Sequence, residues 1–427
     1  MSPADPTAPL RTRQGAAARE LTEREAWAVL ASVEGLGPAG LGAILTRFNG
    51  GLGTLAAARR PRGRSALIRA ATAADGRERL DAGVAGSIAR LAADPWPAID
   101  ELDAAGVDVM TTDDSDYPLR LRRIEHPPPI LFVRGDRSAL SAERAIAVVG
   151  TRRPTEAGRR TAARIAGATS RLGAVVVSGL AVGIDGAAHA AVVAEHGRTV
   201  AVLGSGHDRL VPRAHNRLAA AIVANGGAIV SEFWPTFPPS KWTFPRRNRV
   251  ISGLADASVI VEAPIQSGAL YTAEHALKQG RGCFFVPGSI DDRNAAGCLA
   301  WLREHPTEAR IVAGIPQLVE DLGLTGEAST GKRAARRSLE AELVEVGATA
   351  ALVARELVAG RTTLDELVAT TGHEPATVLG ALTLLELRDL ATSTYGRYRP
   401  AGRLAFAEPG RRAAADRARL PVLRDPC

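Results

Sequence analysis

The segment Ala145-Ile-Ala-Val-Val-Gly-Thr-Arg-Arg-Pro154 joins a short apolar run to a glycine and two arginines. Similar apolar runs follow it, and helical patterns of about 10–20 residues separate most of them. Strands that are apolar on both faces and alternate with helices predict a doubly wound, mostly parallel α/β sheet of the Rossmann type. The predicted strands are Ala145–Gly150, Ala174–Gly179, Thr199–Gly204, Ala228–Glu232, Ala257–Ala263 and Cys283–Gly288.

Helical and mixed patterns flank this predicted sheet. The preceding stretch is rich in Ala and Leu without strand alternation, and Val107–Thr111 and Ile130–Arg134 are predicted strands at the entrance to the core. The expected order of regions is a disordered start (1–20), a small helical domain of helix-hairpin-helix or SAM-like type (21–106), the Rossmann-like core (107–322), a linker (323–340), a winged-helix domain (341–403) and a disordered tail (404–427).

A Gly-rich segment lies inside the helical region. Val33-Glu-Gly-Leu-Gly-Pro-Ala-Gly-Leu-Gly-Ala-Ile-Leu45 resembles one helix-hairpin-helix motif. In that motif Gly35 and Gly37 would form a tight turn that directs helix N-terminal amides at a phosphate. A Gly-rich turn between two packed helices is the alternative interpretation.

The pattern near the C-terminal end is helix, turn, helix and hairpin. Ala341–Val358, Thr363–Gly372 and Pro375–Leu387 are predicted helices, and Leu390–Arg399 is predicted to form two short strands. This order is typical of a winged helix. The predicted recognition helix, Pro375–Leu387, has no Arg or Lys, so a protein partner is an alternative to duplex DNA.

The chain has 427 residues, a hydrophobic fraction of 46% and a formal net charge of +7. The length and hydrophobic fraction fit about two or three soluble domains with proper cores, and the charge favours an anionic partner. Only Lys241, Lys278 and Lys332 are lysines, so nearly all the cations are arginines. A compositional bias would produce the same excess, and the positions of the arginines are therefore more informative than their number.

The cysteines and the hydropathy pattern narrow the compartment and the kind of site. Cys283, Cys298 and Cys427 form no CxxC pair, which argues against a disulfide framework and against a zinc or other metal site. The chain has no apolar run of about 18 residues, and its first twenty residues lack the apolar segment of a secretory signal. We therefore expect a cytoplasmic protein without membrane contact.

Ligands of open α/β sheets bind at the carboxyl ends of the strands, so the residues after each predicted strand are candidates. Gly150 allows close approach of a backbone, and Arg152 can hold a phosphate in bidentate fashion. Solvated arginines in an ordinary loop are the alternative. Ser178 and Gly179 are predicted to begin an amide-lined anion cradle, and Asp185 is predicted to N-cap the helix that follows.

Two further loops bear on catalysis and on cofactors. His189 shares a helix face with Asp185 and could pair with it, but no nucleophile stands beside them, so we expect no catalytic residues. Gly204-Ser-Gly206 lacks the third glycine and the acidic ribose ligand of a dinucleotide site, so we expect no cofactor. Arg213 and Asn216 are candidate phosphate contacts, with simple surface exposure as the alternative.

The most informative segment is Lys241-Trp-Thr-Phe-Pro-Arg-Arg-Asn-Arg249, which we predict to be a loop. Cations that follow a backbone, interleaved with rings that stack on bases, are what single-stranded nucleic acid needs. A phenylalanine that simply pins the loop to the domain is the alternative. The candidate contacts in this segment are Lys241, Phe244, Arg247, Asn248 and Arg249.

The last candidate loop follows the fifth predicted parallel strand. Ser267 and Gly268 stand just before a predicted helix over Thr272–Gln279, which would make a helix N-terminal anion site. Glu262, at the end of the strand itself, is expected to hold an arginine in place.

In this order, the motifs resemble those of the DNA-processing A family (DprA, also called Smf). Phe-Pro-x-Arg-Asn-Arg after Ser-Gly-x-Ala-x-Gly-Ile-Asp is highly specific, and the matching pieces extend over about 180 residues of the predicted core. They are Val149–Arg152, Ser178–Asp185 with His189, Ala201–Gly204, Ser231-Glu232, Phe244–Leu254, Val261–Ala263, Ser267-Gly268 with Thr272-Ala273, Gly280-Arg281 and Val286–Gly288.

The resemblance implies a non-enzymatic protein that binds single-stranded DNA cooperatively as a homodimer, protects it, and helps to load the recombinase RecA during natural transformation. It also implies which residues contact the strand. The pocket would comprise Arg152, Lys241, Phe244, Arg247 and Asn248, with Ser178, Gly179, Ser267 and Gly268 as backbone supports.

Two other functions stay open at this point. A nucleotide-cleaving phosphoribohydrolase would need a Pro-Gly-Gly-x-Gly-Thr loop, and the matching place reads Gln266-Ser-Gly-Ala-Leu270. A winged-helix regulator would use the core as a ligand sensor and would bind duplex DNA through its C-terminal domain.

Overall fold

The computed structural model describes residues 20–72, 80–324, 343, 346–388, 390–394, 397–401 and 404. They fall into two compact units, one ending at Leu324 and one that follows it. The predicted disordered start, linker and disordered tail lie almost entirely outside the described residues.

The described part of the N-terminal region is helical. A capping box begins its first helix, in which the hydroxyl of Thr22 accepts a hydrogen bond from the backbone N–H of Glu25. The predicted tight turn lies between the first two helices, where Gly35 has a φ of 85° and Gly37 is the N-cap. The helices are α1 (Glu23–Ala31), α2 (Pro38–Arg47), α3 (Gly51–Arg59), α4 (Gly63–Ala71), α5 (Ala82–Ala93) and α6 (Trp96–Ala105).

A nine-stranded sheet forms the centre of the first unit, in the order β1-β2-β6-β5-β4-β3-β7-β8-β9. Strands β3 to β9 run parallel, whereas β2 is antiparallel to both β1 and β6. The strands are β1 (Asp108–Thr111), β2 (Ile130–Gly135), β3 (Ala145–Val149), β4 (Val175–Ser178), β5 (Thr199–Val202), β6 (Ala228–Ser231), β7 (Ala257–Ile260), β8 (Gly282–Phe285) and β9 (Ala309–Ile311).

The predicted mixed α/β fold with a mostly parallel sheet is therefore confirmed. All six predicted parallel strands are present, and the two predicted entrance strands join the same sheet. The sequence analysis missed β9, which has three residues, two of them exposed, and so lacks the continuous apolar run that marks the other parallel strands.

Both faces of the sheet are buried, which explains the uninterrupted apolar runs. In β3, Ala145, Ala147 and Val149 belong to the hydrophobic cluster on one face, and Ile146 and Val148 belong to the cluster on the other. Successive side chains of a strand point to opposite faces, so a strand covered by helices on both sides needs apolar residues at every position.

Helices cover this sheet between the strands. Two of them differ from the prediction. The helix predicted over Thr272–Gln279 begins earlier, at Gly268, because the hydroxyl of Ser267 caps it by accepting from the N–H of Ala269. The helices are α7 (Leu119–Arg122), α8 (Glu156–Arg171), α9 (Ile184–Ala194), α10 (Asn216–Ala224), α11 (Thr243–Leu254), α12 (Gly268–Lys278), α13 (Ala296–Glu304) and α14 (Ile315–Asp321).

The second correction concerns the cationic segment Lys241–Arg249, which is not a loop. Helix α11 begins at Thr243 and contains most of it. Pro245 is tolerated there because the first four N–H groups of a helix have no carbonyl acceptor within the helix, so the missing N–H of proline costs nothing. The prediction treated Phe-Pro as a break, although proline fits the first turn of a helix well.

The second unit contains three described helices and a two-stranded sheet: α15 (Ala348–Val358), α16 (Leu364–Thr371), α17 (Pro375–Leu387), β10 (Ala391–Thr394) and β11 (Arg397–Pro400). Gly372, with a φ of 69°, ends α16 as expected. The order of elements agrees with the predicted one, but α15 begins at Ala348 and not at the predicted Ala341, because Gly347, with a φ of 109°, is its N-cap. The winged-helix assignment itself stays a prediction. In the part of the chain that the structure describes, every helix is too short or too polar to span a membrane.

Trp234 joins the helical region to the sheet. Its side chain is 6% exposed, its ring centroid lies 5.5 Å from that of Phe132 in β2, and its indole N–H donates to Glu101 of α6 at 2.8 Å. All three residues come from different parts of the chain, so Trp234 fixes the segment after β6 against both neighbours.

We expect Trp234→Ala to lower the free energy of unfolding by about 3–5 kcal/mol, because it leaves a cavity in this cluster. The loss of the indole N–H adds little, since Glu101 is exposed and keeps a hydrogen bond from the hydroxyl of Thr236. Trp242→Ala is the matched control, since Trp242 is 55% exposed and its loss should cost far less. Urea denaturation followed by circular dichroism measures both. Equal losses in the two variants would contradict the structural role of Trp234.

Candidate nucleic-acid interface

The candidate site lies where the strand order changes direction. From β3 the chain proceeds through β4, β5 and β6 on one side and then continues with β7, β8 and β9 on the other. Such a switch point opens a crevice at the carboxyl ends of the two central strands. Here Gly150 follows β3, Ser178 is the last residue of β4 and Gly179 follows it, and Glu262 follows β7.

Glycines let these loops approach each other closely. A Cβ atom at Gly150 would lie 2.5 Å from Cγ1 of Ile184. At Gly179 it would lie 2.6 Å from Nη2 of Arg247 and 2.7 Å from Oδ2 of Asp185. All three distances are too short for a Cβ unless its buried neighbour shifts, so close packing beneath the surface favours glycine at both positions.

Asp185 does not N-cap α9 as predicted, because Gly183, with a φ of 91°, occupies that position. The carboxylate instead lies inside the first turn, is buried, and accepts the N–H of Gly179 at 3.1 Å. Burial raises the pKa of Asp185, while the charge of Arg247 and the backbone N–H groups around the carboxylate oppose that rise.

Arg247 is the buried partner in this arrangement. Its side chain is 5% exposed, and Nη1 donates to the carbonyl of Gly179 at 2.8 Å and to the carbonyl of Val202. Burial lowers the pKa of Arg247 to about 10, against the opposing charge of Asp185, so it stays protonated at neutral pH. The guanidinium thereby ties α11 to the ends of β4 and β5.

Asn248 extends the same tie to the next helix. Its amide Nδ2 donates to the carbonyl of Gly268 at 3.0 Å, and its Oδ1 accepts from Nε of Arg247 at 3.2 Å. Gly268 is exposed, with open space where a Cβ would be, and the Ser267 hydroxyl caps the helix behind it. The backbone at the start of α12 is therefore held in place and accessible.

Arg152 and Phe244 lie together on the outer side of this arrangement, and Lys241 precedes the helix that carries Phe244. The guanidinium carbon of Arg152 lies 5.1 Å from the centroid of the Phe244 ring. Arg152 and Lys241 are exposed, and neither forms an ion pair within the described parts of the chain. The ring is half-buried because Gly204 passes beneath it, where a Cβ would lie 2.8 Å from Cδ1 of Phe244.

Several predicted contacts are engaged inside the protein. The hydroxyl of Ser178 is fully buried and donates to the carbonyl of Val148 at 2.7 Å. Arg249 forms a buried ion pair with Glu232 and donates to the carbonyl of His126 at 2.5 Å. These side chains support the fold, and the structure does not place them on the surface with Arg152 and Lys241.

Glu262 does not hold an arginine, contrary to expectation. Its carboxylate accepts hydrogen bonds from the backbone N–H and the hydroxyl of Thr155, the residue that caps α8. The backbone carbonyl of Glu262 also accepts the N–H of Thr151 at 2.7 Å. The carboxylate is therefore a clamp between β7 and the loop after β3.

His189 does not form the possible pair with Asp185. His189 is fully buried, and its Nδ1 lies 2.7 Å from the hydroxyl of Thr199, which donates its own proton to the carbonyl of Val176. Nδ1 therefore carries the imidazole proton. Within the described residues, His, Cys, Asp and Glu side chains do not converge in any group of three or more that could hold a metal ion.

A family model for DNA recombination-mediator protein A matches residues 108–323, which is half of the chain and contains every residue of this site. The chain belongs to the DNA recombination-mediator protein A family. The predicted resemblance to the DprA/Smf proteins is therefore confirmed.

Individual relatives agree with this membership. The DNA processing protein DprA of Bacillus subtilis (strain 168) is 41% identical over 199 residues, which is 47% of this chain and 67% of the relative. A relative from Mycobacterium tuberculosis (strain H37Rv) is 36% identical over 305 residues, 68% of this chain and 76% of its own length. The X-ray structure of DprA from Streptococcus pneumoniae has a TM-score of 0.58 and 28% identity, and the match covers 71% of this chain and 98% of that one.

The motifs that follow β3, β4, β5 and β7 lie at the carboxyl ends of these parallel strands, whereas Gly280-Arg281 precedes β8 at the opposite edge of the sheet. The sequence did not reveal which of these residues face solvent and which are buried. Asp185 and Gly204 were missed as parts of the site, since the first was assigned to a helix cap and the second to a broken cofactor motif. A buried Asp–Arg pair separated by 61 residues leaves no local pattern to detect. Arg213 and Asn216 lie elsewhere, at the start of α10.

Burial of His189 makes the stability of the protein depend on pH. Burial, helped by the charges of His215 and Arg247, lowers the pKa of His189 from 6.5 to about 3. The unfolded chain therefore takes up a proton below pH 6.5 that the folded chain refuses until about pH 3, so stability is complete above pH 6.5 and falls as the pH drops.

We expect His189 to contribute a loss of about 2 kcal/mol between pH 7.5 and pH 5. His189→Gln, which keeps a hydrogen-bonding side chain, should reduce the pH dependence by that amount. Urea denaturation of both proteins at the two pH values measures it. An unchanged pH dependence in the variant would contradict the assignment of a neutral, buried imidazole.

Proposed function

We propose that this DNA-processing protein binds single-stranded DNA at the surface formed by Arg152, Lys241, Phe244 and the backbone at Gly268, and that it acts by binding the strand without catalysing a reaction on it. Family membership gives the DNA-processing role of the DprA/Smf proteins. The choice of a single strand rests on the chemistry of the surface.

The observation that carries this proposal is the pairing of an exposed cation with an accessible ring. Arg152 lies over Phe244 at 5.1 Å, and Lys241 precedes the same helix. A ring flanked by cations can stack with a base while the cations take the neighbouring phosphates, and duplex DNA offers no unstacked base for such a ring. Stacking tolerates any sequence, which suits a protein that handles arbitrary DNA.

We further propose that the protein works in the cytoplasm as a homodimer, protects incoming strands and hands them to the recombinase RecA during natural transformation. The resemblance to DprA/Smf proteins supports this part. A strand longer than one site can be held by both copies, which raises the overall affinity without a new contact in either.

Replacing Arg152, Lys241 or Phe244 by Ala should weaken binding of an oligothymidylate about tenfold or more for each variant, since each removes a phosphate or a stacking contact worth ~1–3 kcal/mol. Arg153→Ala is the matched control, because Arg153 is the exposed neighbour of Arg152. Fluorescence anisotropy measures affinity, and circular dichroism checks that each variant is folded. Wild-type affinity in all three folded variants would refute the proposed surface.

Affinity should also fall with salt in a predictable way. Two phosphate contacts, from Arg152 and Lys241, give a slope of about −1.4 for log K against log salt concentration in single strands. Arg152→Ala should reduce the magnitude of the slope by about 0.7. Phe244→Ala should lower the affinity and leave the slope unchanged. Titrations of a short oligothymidylate at salt concentrations between about 50 and 200 mM separate the contribution of the phosphate contacts from that of stacking. A flat response of the wild type would be inconsistent with phosphate contacts.

A further inference from the structure

A cavity of about 850 Å³ lies beside α10, and its lining includes none of the residues of the surface described above. We call it the α10 cavity. Its walls are α10, the segment from His207 to Arg213 and the two prolines Pro238 and Pro239 that precede the cationic segment. Its size falls within the range of pockets that hold small organic ligands, roughly 300–1,000 Å³.

The α10 cavity combines an apolar floor with a cationic rim. Ile229 of β6, which is 2% exposed, Leu210 and Val223 form part of the floor. Arg209 and Arg213 are exposed on the rim, and neither forms an ion pair within the residues that the structure describes. The other two charged residues of the lining, Arg134 and Asp208, pair with each other at 3.5 Å, so Arg209 and Arg213 leave the rim with an excess of positive charge. An apolar floor suits a flat base, and free guanidinium groups at the edge suit its phosphates.

His207 adds a specific hydrogen-bonding group to the lining. It is 4% exposed, and its Nε2 lies 3.2 Å from the carbonyl of Ile229, which can only accept, so Nε2 carries the proton. Nδ1 is therefore an acceptor, and it is buried without a partner among the described residues. Buried acceptors without a donor are rare in native proteins, and a bound group with an N–H, such as a base, would supply one.

Two short segments of chain connect the residues of the proposed DNA surface with the lining of the α10 cavity. Gly204 packs beneath the Phe244 ring, and His207 of the cavity follows three residues later. The intervening loop is held to the opposite wall by a hydrogen bond from the N–H of Gly206 to the carbonyl of Phe237 at 2.9 Å. On that wall, Pro239 of the cavity stands two residues before Lys241.

We propose that the α10 cavity binds a second nucleotide of the same DNA strand, with its base on the apolar floor against His207 and its phosphate on Arg209 and Arg213. This inference rests on the proposed single-strand binding at Arg152, Lys241 and Phe244. It assigns a role to Arg213 that is separate from the Phe244 surface and extends the strand path past Gly204 toward β6.

The length of the DNA strand provides the test. Oligothymidylates are suitable probes because thymine carries an N–H that can donate to Nδ1 of His207. Anisotropy titrations with a series of increasing length should show, for the wild type, a gain of about tenfold once the strand reaches the α10 cavity. The double variant Arg209→Ala/Arg213→Ala should lose most of that gain and bind the shortest strands like the wild type.

A second variant tests the cavity without removing charge. Ala220→Leu, on the exposed face of α10 that lines the cavity, fills space while keeping a good helix former. It should also lose most of the gain with length. Arg217→Ala is the control, because Arg217 is an exposed arginine of α10 outside the lining and its loss should leave the gain intact.

The outcomes separate the two proposals. If the wild type fails to bind strands of any length, the proposed function itself is wrong. If it binds them but the double variant and Ala220→Leu, both folded by circular dichroism, keep the full gain, the α10 cavity is not part of the strand path. Tight binding of free thymidine monophosphate that Arg209→Ala/Arg213→Ala abolishes, with the gain in strand affinity unchanged, would also overturn the proposal in favour of a separate nucleotide ligand.

Discussion

The buried guanidinium of Arg247 is the interaction on which the candidate interface depends. A cation inside a protein is tolerated only when its charge and its donors are matched, and removing one partner of such a set is strongly destabilising. Here the carbonyls of Gly179 and Val202 accept its protons, and Asp185 supplies the opposite charge. Because Arg247 lies one turn into α11, this set of contacts fixes the start of the helix, and with it Phe244, across the ends of β4 and β5.

The same constraint reduces the charge that is free to meet a ligand. The segment from Lys241 to Arg249 holds four cations. The guanidinium of Arg247 donates to carbonyls beneath the surface, and that of Arg249 pairs with Glu232, so neither is available to a ligand. Arg246 is part-buried, and burial lowers its pKa. What remains exposed is Lys241, joined by Arg152 from the loop after β3. Part of this cation-rich motif therefore stabilises the fold, and fewer of its charges are exposed to a ligand than the sequence contains.

Much of the fold was predictable because it rests on local patterns. Strands buried on both faces are apolar at every position, and Pro375–Leu387 has a proline where a helix starts, so both were located correctly. The helix over Thr243–Leu254 was missed because Phe-Pro resembles a break. The role of Asp185 was missed because 61 residues separate it from its partner Arg247. The residues of the candidate site could be named from their motifs, but whether each faces solvent or the interior depends on contacts between distant segments.

Two exposed cations and one ring offer a single nucleotide few contacts, and this favours the polymeric ligand that we propose. A cofactor-binding sheet collects its affinity from one compact molecule, with three glycines and a helix N-terminus around a pyrophosphate. In this chain Gly204 instead makes room for the Phe244 ring, so that place on the sheet is filled by protein. Affinity would then come from several nucleotides of one strand binding together. Once one nucleotide is bound, the next binds at an effective concentration that the strand sets and that does not depend on its concentration in solution. The affinity of such a surface rises with the length of its ligand, and this favours a DNA strand over a single nucleotide.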